Sequence, residues 1–261
     1  MPEARPDLTL ILPAFNEAGT IAATLREAAD YCRSRSLAYE FIVAADGNDG
    51  TREICRGMAG ADPAIRVIGG VERRGKGRGI REAVALAAGA VIGYADADNK
   101  VPIDEFDKIS PWLRQYPIVI GSRAIDRSLV ERRQPLYRRV GSVGFHYFMQ
   151  SVVGLPGITD SQCGFKFFHR DVARDLFARQ RIDGYMFDVE ILYLARKRRY
   201  PVYQVPIRWR DDADSRLQLL AGNLRNVRDI FRIRLLTGRV EPAPEAARSP
   251  AGRQSCPSQS P

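Results

Sequence analysis

At 261 residues, 45% of them hydrophobic, the chain can bury one sizeable core, which excludes a small scaffold stapled by disulfides or metal. The net charge of +9 favours a partner carrying anionic groups. Two His and four scattered Cys (Cys32, Cys55, Cys163, Cys256) exclude a zinc cluster and fit reduced thiols in a cytosolic setting. No apolar run approaches a membrane span, and Met1–Asp7 lacks a signal-peptide core, so any work at a membrane is expected from its surface.

In chain order, Leu8–Leu12 reads as a buried strand that ends in the loop Pro13-Ala14-Phe15-Asn16-Glu17. Ile21, Leu25, Ala28 and Ala29 then recur at helical spacing to about Cys32. A second strand, Phe41–Ala44, leads into Ala45–Thr51, where Asp49 or Thr51 can cap a helix through Met58. Ile65–Ile68 is a third strand, followed by Arg74-Gly75-Lys76-Gly77-Arg78-Gly79 and an Ala-rich helix to Ala88. Val91–Ala95 is a short apolar run that stops at Asp96-Ala97-Asp98-Asn99. Further on, Ile103–Gln115 reads as a helix and Pro117–Ile120 as a strand ending in Gly121-Ser122-Arg123. A helix is expected over Leu136–Val153 and a strand over Gly164–Phe168. Helices follow at Val172–Phe177 and Asp188–Arg198, then a strand at Val202–Ile207. Leu217–Leu236 reads as a basic amphipathic helix; from about Gly238 the composition is Pro, Ala, Ser and Arg, so Glu241–Pro261 is expected to be disordered. Short apolar strands alternating with helices predict an α/β domain over 1–238 with a mostly parallel central sheet flanked by helices, and a tail over 239–261.

In such sheets ligands bind outside the carboxyl ends of the strands. Asp96 and Asp98 sit two apart, so in extended chain both point to one side, and two hard oxygen ligands suit Mg²⁺ or Mn²⁺ held jointly with phosphates. Asn16, Glu17 and the Asp46 loop mark other strand ends, and this convergence favours a nucleotide site. The spacing Gly75-x-Gly77-x-Gly79 is wrong for a dinucleotide fingerprint; it is either a solvated helix start or a device placing Lys76 or Arg78 near the nucleotide.

Taken in order, these motifs resemble the family 2 glycosyltransferases of the GT-A fold, most closely the polyprenyl-phosphate sugar transferases of the dolichyl-phosphate β-glucosyltransferase type. The resemblance rests on Pro13–Glu17, Asp46–Thr51, Arg74–Gly77, Asp96–Asp98, Gly121–Arg123, Asp160–Lys166, Phe187–Leu192 and Asp229–Gly238. It implies an inverting, metal-dependent transfer of a hexose from a nucleotide-sugar, UDP-glucose first and GDP-mannose second, to a polyprenyl phosphate at the cytoplasmic membrane face. Asp96 and Asp98, with Ala97 between them, would hold the metal; Pro13, Phe15, Glu17 and Asp46 would surround base and ribose. Arg123, Arg138 and Arg139 fall where the family holds the acceptor phosphate, and Lys166 is a further phosphate candidate. Arg208, with Arg210 and Arg216, belongs to a polar loop after the last strand where related enzymes close a basic loop over the diphosphate. Asp160 would orient the acceptor or take a residual proton, although a phosphate monoester, whose second pKa lies near 6, needs no strong base.

Three points depart from the pattern or bear on it. Ala44-Ala45-Asp46 stands where paired Asp is usual, which leaves the nucleotide open. Lys100 beside the metal pair would repel a cation or substitute for part of its charge. Apolar stripes at Phe145–Val153 and at Leu217, Leu220, Leu224, Val227, Ile230, Phe231 and Leu235, with Arg interleaved, suit a membrane surface as well as a core. The alternatives are a family 2 enzyme acting on a soluble or polysaccharide acceptor, or a basic binding protein on the same fold without turnover; no aromatic-basic motif for nucleic acid is present.

Overall fold

The computed structural model of the protein describes residues 5–125, 152–210, 221–236 and 240–248. Seven strands form one sheet: β1 (Leu8–Phe15), β2 (Tyr39–Asp46), β3 (Ile65–Ile68), β4 (Val91–Ala95), β5 (Ile118–Ser122), β6 (Phe165–His169) and β7 (Val202–Pro206), in the order β3-β2-β1-β4-β6-β5-β7. All pairings are parallel except those of β6, which runs antiparallel between β4 and β5.

Alternate residues of the apolar strands supply two cores, one on each face of the sheet. Ile11, Ile42, Ile92 and Phe168 face α3 (Lys76–Leu86), α5 (Arg170–Arg179) and α6 (Phe187–Lys197). Leu10, Leu12, Val43 and Phe167 face α1 (Ile21–Ser34), α2 (Thr51–Ala61) and α4 (Phe106–Ile109). The strands are buried on both sides, which is why they read as continuous apolar runs rather than alternating ones.

Some expectations are corrected. Pro13–Phe15 continue β1 instead of forming a loop, pairing with Ala44–Asp46. Ile103–Gln115 is not one helix but a 3-10 turn (Ile103–Glu105), α4, and a second 3-10 turn (Trp112–Arg114). Pro111 explains the break, since it lacks an N–H and its ring crowds the preceding turn. The segment 240–248, expected as tail, is seated on the domain. Ala243 is fully buried, its N–H donates to the Arg198 carbonyl at 3.0 Å, Arg198 donates to the Glu241 carbonyl at 2.7 Å, and α8 (Glu245–Arg248) follows. Small residues can be buried without leaving a hydrophobic signature. The helix expected at Leu136–Val153, with Arg138 and Arg139, lies outside the described residues apart from its last two positions, as does 249–261. Of Leu217–Leu236, the described part is helical as α7 (Ala221–Leu236). Among the described residues no helix is long and apolar enough to cross a membrane.

Candidate active site

Because β1, β2, β4, β5 and β7 run the same way, Phe15, Asp46, Ala95, Ser122 and Pro206 all end at one edge. The antiparallel β6 starts there, with Phe165 opposite Ala95, so the loop Asp160–Gly164 enters at the same edge. Topology alone therefore brings six chain segments, the one carrying Asp96 among them, to one edge.

Asp96 and Asp98 lie on the turn directly after β4. Asn99 holds a left-handed φ of 56°, which Asn tolerates better than most residues, and its amide donates to Glu27 at 2.6 Å. Ala97, between the acids, is buried, and its carbonyl accepts from the Thr24 hydroxyl at 2.9 Å. The Asp96 carboxylate rests against the backbone of Gly164: a Cβ there would lie 2.2 Å from Asp96 Oδ2. A side chain at position 164 would push the Asp96 carboxylate aside. Burial, then the charge of Asp96, raises the Asp98 pKa, opposed by Lys100.

Each acid has a lysine. Lys76 Nζ lies 2.6 Å from Asp96 Oδ1, and Lys100 Nζ lies 3.5 Å from Asp98 Oδ2. Lys76 opens α3, and its neighbour Gly77 carries that helix start against the chain before α6, where a Cβ would meet Ile182 O and Phe187 Cβ at 2.6 Å each. The Gly75–Gly79 signal is thus one of close packing that aims Lys76 into the cleft. Burial opposes the charge on Lys76, but Asp96 and Asp188 more than offset it and hold its pKa above the ordinary lysine range.

Asp160 and Arg123 form a two-bonded pair, Nε to Oδ2 at 2.7 Å and Nη2 to Oδ1 at 3.0 Å, and the Arg123 backbone N–H adds a third bond at 3.1 Å. Burial would raise the Asp160 pKa, yet Arg123 outweighs it and leaves the carboxyl below the usual range. The Trp209 ring lies 5.5 Å from the guanidinium. Cys163, in the same loop, is pushed up to about 12 by burial and then by Asp160, so it is a neutral thiol and not a nucleophile.

Lys166 is not at the cleft surface. It is 0% exposed, its ammonium meets Asp188 Oδ1 at 2.5 Å and the Cys163 carbonyl, and the Tyr94 hydroxyl donates to the same Asp188 oxygen at 2.6 Å. A phosphate cannot reach it without dismantling this cluster, which corrects the expectation of phosphate contact. Arg208 stands at the edge but is held by Glu105 and Asp104, both at 2.6 Å. Just beyond, Arg210 N–H donates to the Lys100 carbonyl at 2.9 Å, tying the chain after β7 to the turn after Asp98.

At the β1 and β2 ends, Asp46 accepts from the backbone N–H of Arg74 at 2.8 Å and of Gly70 at 3.3 Å. Glu17 accepts from the Thr20 hydroxyl at 3.1 Å and its N–H donates to Thr51. Pro13 and Phe15 are half-buried, and the Arg73 guanidinium stacks 4.2 Å from the Phe15 ring centre. Arg139 and Arg216 lie outside the described residues. Sequence reasoning assigned no role to Asp188, Tyr94, Glu105 or Arg73, whose roles come from partners 22 to more than 100 residues away.

Two acids alone, with no third His, Cys, Asp or Glu completing a metal-binding group among the described residues, cannot cage an ion. They fit an octahedral hard cation that takes its other oxygens from water and a phosphate ligand.

A mostly parallel sheet with one reversed strand, an acid-x-acid turn after β4 and charged side chains gathered at the strand ends define a GT-A glycosyltransferase domain. Solved structures agree on the fold. Mannosyl-3-phosphoglycerate synthase from Rubrobacter xylanophilus matches with a TM-score of 0.64 at 18% identity, over 90% of this chain and 76% of that one. Glucosyl-3-phosphoglycerate synthase from Mycobacterium tuberculosis, in complex with Mn²⁺, UDP-glucose and phosphoglyceric acid, matches with a TM-score of 0.64 at 18% identity, over 92% and 81%. The glycosyl transferase family 2 profile matches residues 9–177, and the chain belongs to that family. Similar curated relatives are the dolichyl-phosphate beta-glucosyltransferases of Drosophila melanogaster, 34% identical over 87% of this chain and 74% of the relative, and of Homo sapiens, 32% identical over 88% and 76%. That of Dictyostelium discoideum is 32% identical over 87% and 73%.

Proposed function

We propose that this glycosyltransferase moves glucose from UDP-glucose to a dolichyl-type polyprenyl phosphate, with inversion, at the cytoplasmic face of a membrane. The observation that carries the reading is the convergence of Asp96 and Asp98 with the Arg123–Asp160 pair at one sheet edge, in a chain whose relatives are named dolichyl-phosphate beta-glucosyltransferases.

Asp96 and Asp98 would hold Mg²⁺ or Mn²⁺, which when bound supplies positive charge where the departing diphosphate develops negative charge. Pro13, Phe15, Glu17 and Asp46 line the base and ribose end. Arg123 presents the edge of its guanidinium not engaged by Asp160 to the acceptor phosphate, suiting the planar fork of Arg. Asp160 fixes that fork. Its lowered pKa makes it a poor proton acceptor, which agrees with an acceptor phosphate that is already largely dianionic at neutral pH. Arg208 would have to leave Asp104 and Glu105 to reach a diphosphate, and Arg139 would join Arg123 at the acceptor.

The outer stripe of α7 supports membrane contact: Arg225, Arg228, Phe231, Arg232 and Leu235 are exposed, Phe231 by 48% and Leu235 by 80%, while Ile230 and Ile233 fill the core. This combination fits an anionic headgroup layer.

The test is a donor screen of UDP-glucose against GDP-mannose with a long-chain polyprenyl phosphate, and with 3-phosphoglycerate as the soluble acceptor, each with Mg²⁺, Mn²⁺ or EDTA. Lipid-dependent transfer from UDP-glucose is expected. Transfer to the soluble acceptor alone would overturn the acceptor assignment.

A further inference from the structure

Four carboxylates and four cations alternate through the cleft floor: Asp96 with Lys76, Asp98 with Lys100, Asp160 with Arg123, and Asp188 with Lys166. These four pairs are therefore close to neutral among themselves before any ligand enters. A divalent cation alone would bring two uncompensated positive charges to partly buried ground and meet two ammonium groups already beside its ligands. A nucleoside diphosphate alone would bring uncompensated negative charge toward Asp96 and Asp98. The two together nearly cancel. Charge in a partly desolvated site is costly unless paired, so each ligand should bind poorly by itself and well with the other.

The side chains allow the exchange this requires. The Asp96 carboxylate fills the space a Cβ at Gly164 would take, and its side chain is 44% exposed, so a ligand can approach it from the open side. Lys76 reaches it on a flexible four-carbon stem from the first turn of α3, with 16% of the side chain exposed at the cleft. Lys100 approaches Asp98 more loosely, at 3.5 Å.

We propose that Lys76 and Lys100 are built-in counter-ions that close the Asp96/Asp98 pair to a free divalent cation and admit one only together with a diphosphate, Lys76 passing its ammonium from Asp96 to that diphosphate. The inference rests on the proposed use of a divalent cation with a nucleoside diphosphate donor. It adds a binding coupling that by linkage is reciprocal: UDP tightens Mn²⁺ by the same factor that Mn²⁺ tightens UDP.

The experiment measures Mn²⁺ affinity of the full chain from loss of the free-ion electron paramagnetic resonance signal, with and without UDP, and UDP affinity by calorimetry with and without Mn²⁺. The wild type is expected to bind Mn²⁺ weakly alone and at least about 10-fold more tightly with UDP. Lys76→Gln is expected to tighten nucleotide-free Mn²⁺ binding by about 10-fold, weaken UDP and shrink the coupling; Lys76→Arg, which keeps the charge, is expected to retain most of the coupling. Unfolding curves of both variants show whether the fold is kept. Equal Mn²⁺ affinity with and without UDP in the wild type, or unchanged nucleotide-free affinity in folded Lys76→Gln, would overturn the proposal and leave the glucosyl-transfer reading intact. Undiminished glucosyl transfer in EDTA, with no Mn²⁺ retained even with UDP, would overturn the cation reading and the coupling together.

Discussion

Two lysine–carboxylate pairs sit close together in this molecule with nearly the same geometry and opposite circumstances. Lys166 meets Asp188 at 2.5 Å with side chains 0% and 4% exposed; Lys76 meets Asp96 at 2.6 Å with side chains 16% and 44% exposed. The first has its ammonium enclosed by Asp188, the Cys163 carbonyl and the Tyr94 ring, and its carboxylate shared with the Tyr94 hydroxyl. The second opens onto the cleft. The contrast teaches that distance does not say what an ion pair does. A sealed pair that loses one partner strands a charge without water, so it behaves as framework; an open pair can trade partners at little expense, so it can take part in binding.

The largest expected effect separates the two pairs directly. Lys166→Met should lower stability by about 3–5 kcal/mol, because Asp188 is left charged and buried; Lys76→Met should lower it by less, about 1–2 kcal/mol, because Asp96 is 44% exposed and regains water. Urea unfolding of the two variants checks this, and similar losses would end the distinction. Replacing the sealed pair and Tyr94 together, as Lys166→Met with Asp188→Leu and Tyr94→Phe, should recover much of the loss, since no charge or hydroxyl is then left without a partner and only the Cys163 carbonyl loses its Lys166 donor.

Next comes chemistry at the open pair's edge. Asp98→Ala should slow glucosyl transfer by about 100-fold or more, the size expected when one group stabilising developing charge is removed, while the unfolding midpoint stays close to that of the parent. An Asp98→Ala enzyme as fast as the parent would remove Asp98 from the site.

The Arg123–Asp160 pair lies between the extremes, with side chains 33% and 10% exposed. Asp160→Asn should lose about 1–3 kcal/mol at neutral pH. Because the Asp160 carboxyl is held below its ordinary range, the stabilisation is present above the unfolded-state value near 3.9 and lost as pH falls through the lowered folded-state value. The wild type and variant should therefore converge in strong acid, and a difference that persists there would show that the pair does not act through charge.

The smallest effect has the opposite sign. The Asp98 pKa is raised, so its ionised form opposes folding above the ordinary carboxylate range. Asp98→Asn should gain about 0.5 kcal/mol at neutral pH in EDTA, read as a higher unfolding midpoint, with the gain fading as pH falls through the ordinary range. On the membrane side, exchanging Phe231 and Leu235 for Ser should weaken binding to anionic vesicles without lowering stability, since both side chains point outward.

Much of the site was legible in one dimension because its parts are strand ends. An apolar run that stops at an acid announces both a buried strand and the polar group at its mouth, so Val91–Ala95 marked its own end and Asp96 with it, while β1 runs on past Leu12 to Phe15 and β2 past Ala44 to Asp46. Local backbone chemistry and apolar burial are encoded within a few neighbouring residues, and so the α/β class, the acid pair and the family resemblance could be read directly. The reversed strand β6 could not: a strand's direction depends on which neighbours it pairs with, and Phe165–His169 reads the same either way. The same limit hid the fate of Lys166, a basic residue that looked available to phosphate until Asp188, 22 residues on, and Tyr94, 72 residues back, enclosed it. It also hid the burial of Ala243 by the end of α6. Charge is written in the chain, but whether a charge is sealed or exchangeable depends on solvent access, and only the folded arrangement of distant segments sets that.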